Sequence, residues 1–360
     1  MKQTKLFNIH KKLNAKIVDF AGFAMPVQYS SIIAEHKAVR ESAGLFDVSH
    51  MGEIFVRGPQ ALDLVQKVTT NDALKLVAGK VQYSAMCYED GGIVDDLLVY
   101  KFSADEYLLV VNASNKDKDL EWIRTNNGFD AVLTDESDEY SLIAVQGPES
   151  KEILQKICER ELNLEYYNFF IAKVAGEEMI VSRTGYTGET GYELYFKGNE
   201  AVAEKVWNSL MEVGKESGIM PAGLASRDSL RLEMGFTLYG NDIDKSTNPI
   251  EANLGWITKI GKSDFIGKDA LQNIKQKGPD RKLVGLISEE KCFPRKGYAI
   301  TSGGKKIGEV TSGTVSPVLD KPVAMGYVKT EFSNEGSVVN FEIRNKEIPA
   351  KVIKLPFIRK

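Results

Sequence analysis

Polar and apolar positions sort this chain into strands and helices. From Ile93 to Tyr100 nearly every residue is apolar, the pattern of a strand covered on both faces. Glu89-Asp90-Gly91-Gly92 before it has the composition of a turn. Two adjacent carboxylates, Asp95 and Asp96, interrupt the run, and strand alternation points them to opposite faces. Asp96 shares its face with Val94, Leu98 and Tyr100. A carboxylate on such a face loses hydration, so it must find donors or hold its proton more tightly. Asp96 is therefore a candidate functional acid; a strand-end Asp satisfied by a loop backbone is the alternative.

The stretch Phe20–Tyr29 mixes Gly and Pro with aromatics and reads as a packed loop. Ser31 caps a helix expected to run to about Ser42, with Gly44 ending it. A strand over Glu53–Arg57 leads into Gly58-Pro59 and a helical pattern. The same order recurs later, where Ser141–Gln146 leads into Gly147-Pro148 and a second helical pattern. Two related α+β units, beginning near residues 53 and 140, are expected from this echo. Between them, Val81–Tyr88, Gly91–Tyr100 and Tyr107–Asn112 are strands with short connections, which implies antiparallel pairing. Lys116–Asn126 reads as a helix with Leu120 and Ile123 inward.

Further along, a strand over Glu178–Arg183 enters a loop with three glycines, Gly185, Gly188 and Gly191. Glu200–Val213 is an amphipathic helix. Ala225–Glu233 is another, placing Arg227 and Arg231 on one face. Those arginines either meet a ligand or form an ion-pair network with Asp228 and Glu233. Beyond Asn248-Pro249 the periodicity changes. A helix near Asp269–Gln276 is followed by strands at Lys282–Ile287, Lys305–Thr311, Val323–Val328, Val338–Arg344 and Ala350–Ile353. That spacing predicts a small β-barrel or sandwich.

Composition narrows the chemistry. The 360 residues suffice for two or three domains, and 43% hydrophobic content argues against wholesale disorder. A net charge of −4 with mixed signs lacks the basic surface of a nucleic-acid binder. No apolar run approaches membrane-span length and Met1–Lys5 lacks a secretory apolar region, so a cytoplasmic location is expected. The three cysteines, Cys87, Cys158 and Cys292, lie far apart and argue against a disulfide framework. His10, His36 and His50 show no ligand-pair spacing, and no metal is expected. Dinucleotide and P-loop fingerprints are missing from the sequence.

Seven stretches in order resemble the folate-binding T-protein family, the aminomethyltransferases of the glycine cleavage system. They are Phe46–Met51, Gly91–Asp96, Ser182–Glu189, Ala225–Glu233, Leu238–Gly240, Thr311–Pro317 and Pro356-Phe357. The resemblance covers essentially the whole chain. It implies an α+β fold of three domains in a cloverleaf around a channel. The first would be a discontinuous folate-binding domain, 1–52 plus 138–247. The second would be a ferredoxin-like insert, 53–137, and the third a C-terminal β-barrel, 248–360. Tetrahydrofolate would be the co-substrate. The partner would be the lipoylated H-protein, whose aminomethyl carbon passes to the folate with release of ammonia. The products would be 5,10-methylenetetrahydrofolate and dihydrolipoyl H-protein.

The resemblance also assigns roles. Asp96 matches the catalytic acid, and Glu193 and Arg227 match the ligand-binding pair. Asn112, Tyr83, Tyr100, Tyr186 and Tyr239 match pocket positions, Met51 and Trp256 the channel wall, and Arg295 the folate tail. Two departures stand out. The family commonly has Glu-Asp-Gly where this chain has Glu189-Thr190-Gly191, and some members carry an aromatic in a longer C-terminal tail. Two rival readings remain: a folate-dependent demethylase and a non-catalytic folate-binding relative. Ammonia release from aminomethylated H-protein separates them from the aminomethyltransferase.

Overall fold

The computed structural model describes residues 1–359. Its first elements are α1 (Phe7–Lys12), β1 (Lys16–Phe20), β2 (Phe23–Gln28), α2 (Ile32–Glu41), β3 (Gly44–Asp47), β4 (Gly52–Arg57) and α3 (Ala61–Val68). Next come β5 (Val81–Cys87), β6 (Ile93–Lys101), β7 (Glu106–Val111), α4 (Lys116–Thr125), β8 (Val132–Asp135), β9 (Tyr140–Gln146) and α5 (Ser150–Gln155). Then follow β10 (Phe169–Val174), β11 (Glu177–Ser182), β12 (Gly191–Lys197), α6 (Glu200–Val213), β13 (Met220–Pro221), α7 (Leu224–Glu233) and α8 (Lys268–Lys277). Six strands complete the chain: β14 (Arg281–Ile287), β15 (Ala299–Ser302), β16 (Lys305–Ser316), β17 (Lys321–Lys329), β18 (Val338–Ile343) and β19 (Lys346–Ile353).

The chain forms two compact units. The first holds Met1–Val65, Ala73–Tyr83 and Leu97–Asp228; the second holds Gln66–Asp72, Ser84–Asp96 and the chain from Ser229 onward. The first unit carries a six-stranded sheet in the order β10-β11-β12-β9-β3-β13. Its core joins Leu45, Ile143, Val145, Leu194 and Phe196 of the sheet to Val206, Trp207 and Leu210 of α6. A five-stranded sheet has the order β5-β6-β7-β4-β8. The second unit carries a closed barrel, β14-β17-β16-β15-β18-β19, filled by Leu286, Ile300, Val310, Ala324, Val328 and Phe341. Closure leaves no unpaired strand edge and resolves the choice between barrel and sandwich. In the same unit the Lys262 ammonium donates to the carbonyls of Gln66, Thr69 and Asn71 at 2.8, 2.6 and 2.8 Å. One buried lysine nitrogen thereby satisfies the backbone at and just past the end of α3, and burial lowers its pKa to about 7.

The sequence echo has a counterpart in topology. β4 lies between β7 and β8, and β9 lies between β12 and β3. Each strand runs into a glycine at positive φ, Gly58 at 132° and Gly147 at 139°. A Cβ on Gly58 would meet the Asp130 carbonyl oxygen at 2.7 Å, and one on Gly147 would meet that of Ser42 at 2.3 Å. Both glycines therefore serve a close backbone approach as well as the turn.

Three elements differ from the sequence expectation. Phe20–Tyr29 is no loop, because β1 and β2 form a hairpin with Phe20 paired to Phe23. Its two turn residues, Ala21 and Gly22, have φ of 51° and 81°, and an alanine seldom takes that conformation. A register shift at Lys16/Ile17 leaves Val27 as the extra residue between Pro26 and Gln28. Gly44 opens β3 instead of ending α2, whose C-cap is Ser42. A Cβ at Gly44 would meet Val39 Cγ2 at 2.3 Å. Finally, the barrel has a sixth strand, β15, only four residues long and too short to read as a pattern.

Candidate functional site

In the first unit the site grows from the β11–β12 hairpin. Ser182 ends β11 and pairs directly with Glu193 of β12. The Glu193 side chain is buried, and its Oε2 accepts a hydrogen bond from Thr184 Oγ1 at 2.5 Å. Tyr195, two residues on and so on the same face, has its hydroxyl 3.5 Å from that oxygen. Tyr100 of β6, fully buried, lies 2.9 Å from the Tyr195 hydroxyl and donates to Ser182 Oγ at 3.1 Å. Burial, reinforced by the Glu193 charge, raises the Tyr100 pKa. Tyr195 shifts the same way from burial first, so both phenols stay protonated at neutral pH.

The loop between these strands is pinned by one buried amide. Gln146, at the end of β9, donates through Nε2 to the Thr184 carbonyl at 3.1 Å. Its Oε1 accepts from Thr187 Oγ1 at 2.9 Å. Gly185 and Gly191 make room for it, since a Cβ on either would come within 2.0 and 2.3 Å of the Gln146 side chain. Arg40 of α2 clamps the loop from outside, with Nη1 donating to the Thr187 carbonyl at 2.6 Å and to Glu189 at 2.8 Å. The glycine-rich stretch is thus a packed clamp, and its glycines do more than turn.

Arg227 comes from α7, whose start is fixed by Glu35 of α2. Glu35, wholly buried, accepts from the backbone N–H groups of Tyr29, Ser30 and Gly223 at 2.7, 2.8 and 2.9 Å. The Arg227 guanidinium lies 5.0 Å from the centre of the Tyr186 ring, a cation–π contact. Burial lowers the Arg227 pKa, and the negative charge of Glu193 works against that loss. Its Nη1 is buried without a hydrogen-bond partner among the described residues. An unpaired buried guanidinium nitrogen is costly unless a ligand supplies the acceptor.

The Phe46–Met51 stretch is held by a buried network. Asp47 accepts from Thr4 Oγ1 at 2.7 Å and from the Ser49 N–H at 2.9 Å, and bonds His10 Nε2 at 2.8 Å. The Tyr29 hydroxyl contacts His10 Nδ1 at 2.8 Å. Burial alone would raise the Asp47 pKa, but these hydrogen bonds outweigh it and hold it low. His50, in the same stretch, packs edge-on against Phe20 with ring centres 5.3 Å apart. Burial pushes its pKa down to about 4, with Asp47 opposing and Arg227 adding to the shift. His50 is therefore neutral, and its Nδ1 has no partner among the described residues.

In the second unit the Tyr88–Gly92 turn stands against Asp244–Thr247. The Ile93 N–H donates to the Thr247 carbonyl at 2.9 Å, and the Tyr239 hydroxyl donates to the Ile93 carbonyl at 3.2 Å. A Cβ at Gly92 would meet the Lys245 carbonyl oxygen at 2.3 Å. The backbone just before Tyr239 is held by Asp242, which accepts from the Leu238 N–H at 3.0 Å, Arg231 Nη1 at 2.6 Å and Thr311 Oγ1 at 2.5 Å. Arg231 thus pairs with Asp242, whereas the sequence alternative paired it with Asp228 and Glu233. Of the two aspartates in β6, Asp95 is fully buried and Asp96 is half-buried. The covered-strand expectation had emphasised burial at Asp96.

The sequence-predicted residues divide between the units. Glu193, Arg227, Tyr186, Tyr100, Tyr83, Asn112 and Met51 belong to the first; Asp96, Tyr239, Trp256 and Arg295 belong to the second. Glu193, Arg227, Tyr100 and Tyr186 come together in the first unit through the contacts above. Tyr83, Asn112 and Met51 are half-buried, while Trp256 is 59% exposed and Arg295 is exposed. Sequence reasoning missed Ser182, Thr184, Tyr195 and Gln146 as parts of this arrangement. Pairing 182 with 193 across the hairpin would have found the first three. It also missed Tyr166 and Tyr167, whose rings pack edge-on at 4.5 Å; burial, with Glu193 contributing, raises the Tyr167 pKa.

Among the described residues no helix is long and apolar enough to cross a membrane. No group of three or more His, Cys, Asp or Glu side chains there has the geometry to hold a metal ion.

By fold the chain is a mixed α+β protein with a closed six-stranded barrel near its C-terminus. Family models cover most of it: the GCVT N-terminal domain matches residues 6–262, and the glycine cleavage T-protein C-terminal barrel domain matches 281–358. The chain is 52% identical over 359 residues to an aminomethyltransferase of Halothermothrix orenii, covering 99% of this chain and 100% of that protein. It is also 52% identical to an aminomethyltransferase of Chloroherpeton thalassium, covering 100% and 99% of the two chains. The crystal structure of the glycine cleavage system aminomethyltransferase T from Bartonella henselae superposes with a TM-score of 0.93 at 36% identity, over 99% of this chain and 98% of that one. The chain belongs to the glycine cleavage T-protein family.

Proposed function

We propose that this chain is the aminomethyltransferase of a glycine cleavage system. It moves the one-carbon unit of an aminomethyl group from the lipoyl sulfur of an H-protein to tetrahydrofolate. Ammonia leaves, and methylenetetrahydrofolate and the dihydrolipoyl carrier are the products. It works in the cytoplasm. The observation that carries this reading is Arg227, buried over the Tyr186 ring within reach of the Glu193 charge, with its Nη1 left without a partner among the described residues.

Tetrahydrofolate brings a flat pterin with adjacent N–H donors and nitrogen nucleophiles. The residues fit that chemistry. Glu193 is an acceptor whose Oε2 is already occupied by Thr184, and it takes the donor pair. Arg227 supplies hydrogen bonds to acceptors and balances the Glu193 charge. Tyr186 walls the ring and Tyr100 supports the pocket from behind Thr184 and Tyr195, with Tyr83, Asn112, Met51 and Tyr239 as further contacts. Trp256 lines the carrier's approach and Arg295 meets the acidic tail. Asp96 orders the reacting nitrogens and moves a proton. Holding two reactants together away from water is the remaining task, and proximity of this kind is worth roughly 7–11 kcal/mol at best. The domains proposed are 1–52 plus 138–247 for folate, 53–137 as the insert and 248–360 as the C-terminal domain.

The test is ammonia release from aminomethylated H-protein, with and without tetrahydrofolate. Folate-stimulated release that is lost in Glu193→Ala and Arg227→Ala supports the proposal. Demethylation of a methylated amine without use of the H-protein, or folate binding with no turnover, overturns it.

A further inference from the structure

Two hydroxyl groups reach one oxygen of Glu193, and two more stand behind them. Thr184 Oγ1 reaches Oε2 at 2.5 Å and Tyr195 reaches it at 3.5 Å. Behind them, Ser182 Oγ is 2.9 Å from Thr184 Oγ1, and the Tyr100 hydroxyl is 3.3 Å from it. Tyr100 also contacts Ser182 at 3.1 Å and Tyr195 at 2.9 Å. All of these residues are buried. Glu193 Oε1, by contrast, has no hydrogen bond among the described residues.

A threonine hydroxyl has one proton to give. The carboxylate contact is the shortest and is charge-assisted, so it takes that proton. The lone pairs of Thr184 Oγ1 then face the neighbouring hydroxyls, and Ser182 and Tyr100 fix where that oxygen sits. The register explains why these residues meet. Ser182 is the cross-strand partner of Glu193, Thr184 lies two residues further along, and Tyr195 is two residues from Glu193 on its own strand. Gln146 holds the Thr184 carbonyl, so main chain and side chain of that residue are fixed from opposite sides.

We propose that Thr184, backed by Ser182, Tyr100 and Tyr195, is a positioning residue that locks one oxygen of Glu193 and leaves the other aimed at the ligand's N–H donors. The inference rests on the reading of Glu193 as a folate contact and adds the device that orients it. A carboxylate free to rotate would meet a planar donor pair in the wrong plane for much of the time. One fixed by a hydroxyl on Oε2 is preorganised and spends less binding energy on ordering.

The experiment compares Thr184→Val, which keeps shape and loses the hydroxyl, with Thr184→Ser, which keeps the hydroxyl. Both are made in the full chain and titrated with tetrahydrofolate, and steady-state rates are measured with aminomethylated H-protein. Thr184→Val is expected to raise Kd and KM for tetrahydrofolate about tenfold or more, the scale of one hydrogen bond to a charged group. The loss falls on KM more than on kcat, and Thr184→Ser restores most of the affinity. Wild-type Kd in the Val variant overturns the proposal, whatever its melting temperature, and so does an equal loss in both variants. Should Thr184→Val not fold, Ser182→Ala is read by the same criteria with a smaller expected rise. Glu193→Ala separates the two levels. If it binds tetrahydrofolate normally, the folate reading of Glu193 fails; if it loses binding while Thr184→Val does not, only the positioning proposal fails.

Discussion

Gly185→Ala tests whether the glycine-rich loop is a packed clamp. Gly185 does not have positive φ, so an alanine there suffers no backbone strain and the effect is one of contact alone. The added Cβ would stand 2.0 Å from Gln146 Oε1, 2.6 Å from its Cδ and 2.7 Å from its Nε2. Gln146 is fully buried and must swing away. It then loses the 2.9 Å bond from Thr187 and the 3.1 Å bond to the Thr184 carbonyl. Each buried partner left unpaired costs about 1–3 kcal/mol, and overpacking adds about 1–3 kcal/mol. With partial relaxation the total is about 3–5 kcal/mol, a large value for one methyl group. Calorimetry of the variant should show a transition lowered by about 6–20 °C, since 1 kcal/mol moves Tm by about 2–4 °C at 150–250 residues. Gln146→Ala removes the obstruction, so the double variant should be about as stable as Gln146→Ala alone. That corresponds to a coupling of at least about 2 kcal/mol. A loss under about 0.5 kcal/mol in Gly185→Ala, or additivity in the double variant, would refute the clamp.

Two further outcomes follow from the same geometry. Asp96→Asn should lower turnover by ~10²-fold or more with a much smaller change in folate affinity, while Asp95→Asn, at a fully buried position, should act on stability; near-normal turnover in the Asp96 variant removes its proposed role. His50, with its pKa pushed down to about 4 from 6.5, binds its proton more tightly in the unfolded chain than in the fold. Its contribution to stability is therefore complete above about pH 6.5 and is lost as pH falls toward 4, worth about 3 kcal/mol in all. His50→Gln should flatten the melting temperature between pH 7 and 5, and an unchanged acid slope would contradict this.

Elements whose signals are local were legible in the sequence. α6 runs over Glu200–Val213 as its apolar spacing demands, and α2 begins after the Ser31 cap, whose side chain accepts from the Ala34 N–H. All the barrel strands but β15 were visible as short apolar runs between Gly- and Pro-rich turns. What escaped depends on residues far apart in the chain. The β1–β2 hairpin turns on Ala21, a residue with no turn signature. The arrangement around Glu193 needs Tyr100, 93 positions away, and the loop clamp needs Gln146, which as a lone amide at a strand end carries no local sign of its role. Asp242 was likewise invisible as the partner of Arg231, since it lies beyond the reach of helix-face arithmetic. The motif matches brought attention to Glu193 and Arg227, but they did not say why a threonine and two glycines accompany them. Cross-strand register and the space a Cβ would need supply that reason.

Unpaired buried polar atoms are where such a fold gives up stability, and they need not share one cause. Arg227 Nη1 sits beside the Glu193 charge and the Tyr186 ring, which is the setting of a ligand contact. Glu53 is different. It is 1% exposed, and both of its carboxylate oxygens lack a partner among the described residues. Burial raises its pKa well above the ordinary value; the Asp135 charge adds to this, Lys116 and Lys5 oppose it, and Asp138 adds a little more. The side chain therefore holds its proton more tightly in the fold than in the unfolded chain. The fold binds the extra proton, so stability falls as pH rises above 4.5, the ordinary glutamate value, and keeps falling until the folded pKa is reached. Glu53→Gln keeps the shape without the ionisation. It should match the natural chain near pH 4 and exceed its melting temperature by at least about 2 °C at pH 8, roughly 1 kcal/mol for a unit of this size. Tetrahydrofolate affinity should not change. A variant less stable than the natural chain at pH 8 would mean that the Glu53 carboxylate gains a partner in the fold, and its raised hold on the proton would have to be abandoned.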